Sequence, residues 1–308
     1  MDRPADITIL TDARWVNPEQ MDWYAENILN EEALVQRSLE KHGLKVGRIN
    51  WDDPGMDWRS TRYVLFRSTW DYFDRFPEFR EWLGRVRDQT RMINPYPLIR
   101  WNLDKHYLGE LHRQGIPVPP TRFIEQGSSI PLAEIVKETG WDEVILKPVV
   151  SGGARHTYRF PAKDAPSFEG ICHRLLQEEA MMIQEFQATV LSKGEAALML
   201  IGGAFTHAVL KKAREGDFRV QDDFGGTVSP YEATPEEIRL AEHTVSLCRP
   251  SPLYARVDLI RDSRSRPLVS ELELIEPELW FRLHPPAADR LAEAIVAHLS
   301  MTEPTENR

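Results

Sequence analysis

Tyr254–Trp280 reads YARVDLIRDSRSRPLVSELELIEPELW, and this stretch decides the fold. Side chains alternate along a strand, so Tyr254, Arg256 and Asp258 share one face while Ala255, Val257 and Leu259 take the other. In the partner strand Glu271 and Glu273 share a face, opposite to Leu272 and Leu274. With Asp262 to Pro267 as the loop, the symmetric hairpin register sets Asp258 across from Glu271 and Arg256 across from Glu273. Like charges opposite each other in a sheet destabilise it by a few tenths of a kcal/mol to about 1, so something must compensate them. A divalent cation does so economically: an oxygen-only ligand set without Cys or His suits Mg2+ or Mn2+, and Mg2+ commonly joins carboxylates to substrate phosphates. A solvated sheet face with an Arg256–Glu273 ion pair is the competing reading.

Working outward, Glu143–Phe160 reads EVILKPVVSGGARHTYRF. Lys147 shares a strand face with Ile145 and Val149, which aims its ammonium where the strand ends. Ser151-Gly152-Gly153 then supplies a flexible loop whose backbone N–H groups can approach phosphate closely, although an ordinary hairpin turn has the same composition. Asn102 is a good N-cap for a helix carrying Leu103, Tyr107 and Leu111, and Lys105 falls in its first turn, where the macrodipole disfavours a cation unless an anionic ligand is present. A surface lysine tolerating the position is the alternative. Glu185 and Glu195 flank a linker, where an acid can accept hydrogen bonds from an adenine amino group or a ribose hydroxyl, or simply face solvent. The segment LKKAREGDFRVQDDFGG, Leu210 to Gly226, concentrates Lys211, Lys212, Arg214 and Arg219. Such local basicity fits triphosphate neutralisation, with a solvated hairpin tip as competitor. No Walker, GxGxxG, HExxH or GxSxG sequence occurs, which leaves zinc hydrolysis and α/β-hydrolase chemistry unsupported.

The whole chain sets the frame. Its 308 residues exceed one core of the commonest size, and two or three substructures of roughly 100 to 150 residues are expected. Lys and Arg number 38 against 48 Asp and Glu, and a net charge of −10 argues against nucleic acid as a general partner. No uncharged apolar run approaches the roughly 20 residues that span a bilayer, and the start lacks a signal-peptide pattern, so the cytoplasm is the default location. Cys172 and Cys248 are too few for a disulfide framework or a multi-cysteine zinc site.

The first hundred residues read as a βαβ-type open sheet. Strands Ile7 to Leu10, Leu44 to Ile49 and Tyr63 to Phe66 alternate with helix faces at Leu34, Val35 and Leu39 and at Phe79, Trp82, Leu83 and Val86. Arg67-Ser68-Thr69-Trp70-Asp71-Tyr72 lies just past a strand's C-terminal end, where open α/β sheets bind ligands. Seven of the nine Trp residues lie at or before Trp101, and core packing explains them better than an aromatic cleft. Further on, the chain reads as a helix from Pro131 to Gly140, strands at Glu143 to Val150 and Met181 to Phe186, and a hairpin around Gly202-Gly203. A capping box at Thr234-Pro235-Glu236-Glu237 and a last helix carrying Leu291, Ile295 and Leu299 follow. The tail TEPTENR reads as disordered. The expected division is 1–101, 102–187 and 188–308.

Taken in order, these pieces resemble the ATP-grasp superfamily. They are NLDKHYLGELHRQGIPVPPT, VILKPVVSGGARHTYRF, MIQEFQATVLSKGE, GDFRVQDDFGG and ARVDLI with SELEL, running from about residue 94 to 283. The resemblance implies an α/β ATP-grasp fold with an N-terminal open-sheet domain. It implies that Lys105, Lys147 and Lys212 contact ATP phosphates, that Ser151, Gly152 and Gly153 cover them, that Glu185 and Phe186 line the adenine hinge, and that Glu195 holds the ribose. Asp258, Glu271 and Glu273 would bind two Mg2+, with Mn2+ also admissible, and Arg256 and Arg219 would stabilise the transferred phosphoryl group. One departure is Glu273, where many members carry Asn, which adds a negative charge to the third ligand. RSTWDY, NPYPLIRWNLDKHYLGEL and EPELWF look most like the branch containing D-cycloserine synthetase, an O-ureidoserine cyclo-ligase. The implied reaction joins a small carboxylate to a nitrogen nucleophile through an acyl phosphate with release of ADP, with Arg67, Ser68, Asp71 and Arg282 as candidates for holding substrate. A kinase-like phosphotransferase and a non-catalytic nucleotide-binding regulator stay open, as does a homo-oligomer.

Overall fold

Alternation of short apolar strands with amphipathic helices builds the first sheet. The computed structural model describes residues 5–220 and 225–302; Gln221 to Phe224 of the basic segment and the tail beyond 302 lie outside the described residues. Its first elements are β1 (Ala5–Thr11), α1 (Ala13–Val16), α2 (Trp23–Lys41), β2 (Val46–Asn50), β3 (Thr61–Ser68), α3 (Phe76–Val86) and β4 (Arg91–Ile93). The strands run parallel in the order β2-β1-β3-β4. Such a sheet needs cover on both faces. Helix α2 buries Ala25, Ile28, Val35 and Leu39, and Asp22 starts it by accepting from the N–H groups of Tyr24 and Ala25 at 3.1 and 2.9 Å. Helix α3 buries the expected Phe79, Trp82, Leu83 and Val86. Trp51 and Trp58 meet Trp82 edge-on at 5.5 and 5.4 Å, geometry that adds about 0.5–1.5 kcal/mol per pair beyond area burial.

Two short helices, α4 (Tyr96–Asn102) and α5 (Tyr107–Arg113), lead onward. Asn102 does not cap a helix N-terminus as its sequence context predicts. Asn102 is the last residue of α4, and its buried carboxamide donates to the Leu272 carbonyl and accepts from the Leu274 N–H, both at 2.8 Å. Lys105 therefore sits in the turn between the helices, its N–H bonded to the Val149 carbonyl at 2.9 Å.

The second sheet comprises β5 (Thr121–Ile124), β6 (Glu143–Pro148), β7 (Tyr158–Pro161) and β8 (Met181–Glu185), antiparallel in the order β5-β8-β6-β7. Helices α6 (Leu132–Thr139) and α7 (Ala165–Glu178) bury Ile135, Val136, Cys172 and Leu176 against Val144, Leu146 and Ile183. Alternation along β6 leaves Ile145 and Lys147 on the face these helices do not cover.

A short helix, α8 (Val190–Lys193), enters the third sheet of β9 (Glu195–Ile201), β10 (Ala204–Lys212), β11 (Thr227–Tyr231), β12 (Tyr254–Arg261) and β13 (Pro267–Glu273). It is antiparallel in the order β11-β10-β9-β12-β13. Gly202 and Gly203 turn the β9–β10 hairpin with φ of 60° and 83°, the left-handed pair that a two-residue turn requires. The capping box of Thr234 and Glu237 opens α9 (Pro235–Ser246). The carboxylate hairpin pairs Asp258 with Glu271 and Arg256 with Glu273, and the register shifts only beyond Asp258. Helix α10 (Pro286–Thr302) packs on α2 and β9 and ties the third sheet to the first, with Ser38 donating to Asp289 at 2.6 Å.

Candidate active site

Between the second and third sheets lies a cleft of about 650 Å³. On its third-sheet side, Asp258, Glu271 and Glu273 each offer an oxygen, and these atoms all lie within 4.8 Å of one another. Cations surround them. Arg256 donates through Nε to Asp258 Oδ1 and through Nη2 to Oδ2, both at 2.9 Å, and also reaches Glu273. Lys211 Nζ donates to Asp258 Oδ2 at 2.7 Å and pairs with Glu195 at 2.5 Å, while Lys105 Nζ pairs with Glu271 at 3.0 Å. The indole of Trp280 lies 5.1 Å from the Arg256 guanidinium.

The protonation pattern follows from this crowding. Burial works against the Asp258 anion, but Arg256 and Lys211 outweigh it and hold the carboxyl below its ordinary range. Glu271 is likewise lowered, burial being overcome by Lys105 and then Lys147. Glu273 goes the other way: burial, with repulsion from Glu271 and Asp258 exceeding what Arg256 offsets, pushes it up to about 7. Burial also pushes Glu276 up to about 8, with Glu273 adding to the effect. Lys147 is lowered by burial, with Lys105 contributing.

The second sheet supplies the opposite wall. Lys147 is half-buried on it, and Lys105 Nζ also donates to the Ser151 carbonyl at the start of the glycine loop. A Cβ at Gly152 would lie 2.6 Å from Phe73 Cε1, so any larger residue there requires the Phe73 ring to move. Gly153 is left-handed at φ 54°. At the far end, Phe186 donates its N–H to the Glu143 carbonyl at 2.9 Å, the Arg159 guanidinium lies 4.0 Å from its ring, and Glu185 accepts from Gln187 at 3.2 Å. Glu195 accepts from Ser270 at 3.0 Å. Arg219 lines the cleft too, bonded to Asp217 at 2.7 Å, and that guanidinium holds the Asp217 carboxyl well below its usual range.

The remaining sequence candidates stand elsewhere. Lys212 is exposed and outside the cleft, and Lys211 is the lysine of β10 that enters it. A shift in the β9–β10 register between Phe205 and His207 is the reason. An unbroken hairpin would set Leu210 opposite Glu195 and Lys212 on its face, whereas the shifted ladder pairs Lys211 with Glu195. Arg67, Ser68, Asp71 and Arg282 do not line the cleft. Ser68 bonds Thr11 at 2.6 Å and also Glu32, Asp71 accepts from Trp51 Nε1 at 2.7 Å and from Arg75 at 2.9 Å, and Arg282 pairs with Glu278. Arg67 is buried, donating to the Pro277 carbonyl at 2.8 Å and to Glu31 at 3.3 Å. That end of the cleft is walled instead by Arg14, Trp15, Tyr24, Trp70, Glu276 and Trp280. Two tryptophans assigned to packing, Trp15 and Trp70, thus face the cleft; no spacing in the sequence marks them. Glu276 and Trp280 belong to the EPELWF stretch, whose sequence alone gives them no role.

Two antiparallel sheets gripping a cleft of lysines opposite a carboxylate trio define a class, and the chain belongs to the ATP-grasp ligases. Residues 7–94 match the family model of the D-cycloserine synthetase DcsG N-terminal domain, and residues 117–264 match that of the prokaryotic glutathione synthetase ATP-grasp domain. Within the class, the chain is 30% identical to the cycloserine biosynthesis protein DcsG of Streptomyces lavendulae over 83% of its own length and 90% of that protein. It is 26% identical to a glutathione synthetase of Prochlorococcus marinus, over 67% of this chain and 63% of that one. The crystal structure of D-cycloserine synthetase DcsG superposes with a TM-score of 0.84 at 28% identity, covering 95% of this chain and 99% of the other. A D-alanine–D-alanine ligase from Bacillus anthracis shares the fold, with a TM-score of 0.66 at 14% identity over 94% and 96% of the two chains. ATP-grasp ligases use ATP and divalent metal ions and act on small molecules or peptides. Among the described residues no helix is long and apolar enough to cross a membrane.

Proposed function

We propose that this protein is an ADP-forming ligase that activates a small carboxylate as an acyl phosphate and joins it to a nitrogen nucleophile, acting as a cyclo-ligase when both groups belong to one molecule. The observation that carries this reading is the convergence of Asp258, Glu271 and Glu273 within 4.8 Å, ringed by Lys105, Lys211 and Arg256. The donor set fits hard divalent cations: three carboxylates and no nitrogen or sulfur. Those three residues would hold two Mg2+, or Mn2+, which neutralise phosphate charge.

The other groups act by position and charge. Lys105, Lys147 and the backbone of Ser151 to Gly153 bind the phosphates, Glu185 and Phe186 receive the adenine, and Glu195 takes the ribose. A carboxylate oxygen of the substrate attacks the γ-phosphorus as the bond to ADP breaks. Arg256 and Arg219 stabilise the equatorial oxygens. The nitrogen then attacks the acyl carbon, phosphate leaves, and the nitrogen gives up its proton. Similarity to D-cycloserine synthetase along most of the chain supports an amino-acid-derived acid that closes a ring. An ADP-release screen over small amino acids, including O-ureidoserine, checks this: release must depend on the acid and vanish in Lys147→Ala and Glu271→Ala proteins that still fold. Release of AMP, or a stable phosphorylated product without condensation, contradicts it.

A further inference from the structure

The wall around Trp70, Glu276 and Trp280, the end of the cleft that the ligase reading leaves to the substrate acid, is a turn whose shape is imposed from elsewhere. Ile275 to Leu283 carries Glu276, Glu278 and Trp280 into the cleft. Trp280 adopts φ 46°, a left-handed conformation that a bulky residue holds only when its surroundings impose it. Those surroundings come mainly from the first sheet. Glu31 on α2, buried to 4% exposure, accepts from the Leu279 N–H through Oε1 at 2.6 Å and from the Phe281 N–H through Oε2 at 2.9 Å. One carboxylate thereby brackets Trp280 on both sides. Arg67 at the end of β3, 3% exposed, donates to the Pro277 carbonyl at 2.8 Å and pairs with Glu31. Its guanidinium lies against the rings of Tyr254 and Phe281 at 5.9 and 5.8 Å. Trp70 Nε1 donates to the Glu276 carbonyl at 2.9 Å, and His207 Nε2 meets the Leu279 carbonyl at 2.8 Å.

The geometry points to Glu31 and Arg67 as positioning residues of the ligase site, a buried ion pair that fixes the Ile275–Leu283 turn so that Trp280 and Glu276 hold the acid end of the cleft in its working shape. This assignment rests on the ligase reading above. It gives the N-terminal sheet a part in the reaction without any contact of Glu31 or Arg67 with substrate, and it separates the acid end, which depends on the pair, from the ATP end, which does not. Buried charges can be kept for the single conformation they specify more than for stability. A fixed wall also keeps water from an acyl phosphate awaiting its nitrogen.

The test is Glu31→Gln, which keeps the size of the side chain but puts an amide donor against a backbone N–H. Binding of Mg-AMPPNP should stay within about twofold of wild type, while the KM for O-ureidoserine rises about tenfold, the loss of roughly one buried hydrogen bond, and ADP release exceeds product formation. Glu31→Asp, which keeps the charge, should recover part of the KM. Equal weakening for nucleotide and acid, or an unchanged KM with one ADP per product, overturns the proposal. Hydrogen exchange on the unmodified protein adds an arm that needs neither a folded variant nor an active acid. Peptides covering 275–283 should exchange as slowly as β12, and exchange at the rate of an open loop overturns the positioning role. Wild-type inactivity toward O-ureidoserine moves the KM comparison to the acid found in the ADP-release screen, and inactivity toward every acid in it counts against the ligase reading and leaves the exchange result to decide this one.

Discussion

Glu273 and Glu276 concentrate the electrostatic tension of the site. Both side chains are half-buried in the cleft next to other carboxylates, and their folded-state values are raised to about 7 and about 8. A raised carboxyl means that the folded chain holds protons the unfolded chain has already lost, so this contribution to stability declines as pH climbs from the ordinary carboxylate range through those values. Asp258 and Glu271 are lowered, and their stabilising contribution is complete above the ordinary range and flat in this window. His207, held down to about 4 by burial, contributes stability that is complete above the ordinary histidine range and lost as pH falls toward 4, so it too is nearly flat in this window. Metal-free protein should therefore melt at a lower temperature at pH 8.5 than at pH 6.5, and MgCl2 should narrow the gap by replacing the proton at Glu273. Differential scanning fluorimetry at the two pH values reads this directly; melting that rises with pH in the absence of metal contradicts the assignment.

At the level of elements, strand alternation is what the sequence states most clearly, and register irregularities are what it hides. The Asp258–Glu271 and Arg256–Glu273 pairs were legible because both strands alternate without interruption between those positions. Lys211 was not singled out over Lys212, because the shift between Phe205 and His207 leaves no composition signal and moves every later side chain of β10 to the other face. Asn102 differs for a related reason: its carboxamide has the chemistry of an N-cap but bonds the backbone of Leu272 on β13 and of Leu274 just past it, about 170 residues away. The shifted register has a testable consequence. Lys211→Met strips a cation from buried Asp258 and Glu195, and should lower the melting temperature and reduce kcat at least about 100-fold. Lys212→Met, on the exposed face, should leave both near wild type. Parallel melting curves and ADP-release rates for the two proteins compare them, and equal effects would contradict the observed ladder.

Across the whole molecule, the part of the cleft that carries the lysines, the glycine loop and the carboxylate trio was more legible than the wall around Trp15, Trp70 and Trp280. The former is built from segments that each carry their own signature, a lysine strand followed by glycines or a hairpin of alternating acids. The latter assembles Arg14, Trp15, Tyr24 and Trp70 from the N-terminal part of the chain with Glu276 and Trp280 from beyond the third sheet, and long-range contacts bring them together: packing of α10 on α2 and the bonds from Glu31, Arg67 and Trp70 to the 276–281 turn. The net charge of −10 acquires a location in the same way, since part of it is a carboxylate trio matched by local cations. Phosphoryl transfer to a substrate carboxylate is the central step of the proposed reaction. The most direct measurement uses the acid identified in the ADP-release screen, labelled with 18O in its carboxyl group, and mass analysis of the released phosphate. One 18O atom per phosphate formed is the predicted result; phosphate free of label would contradict it.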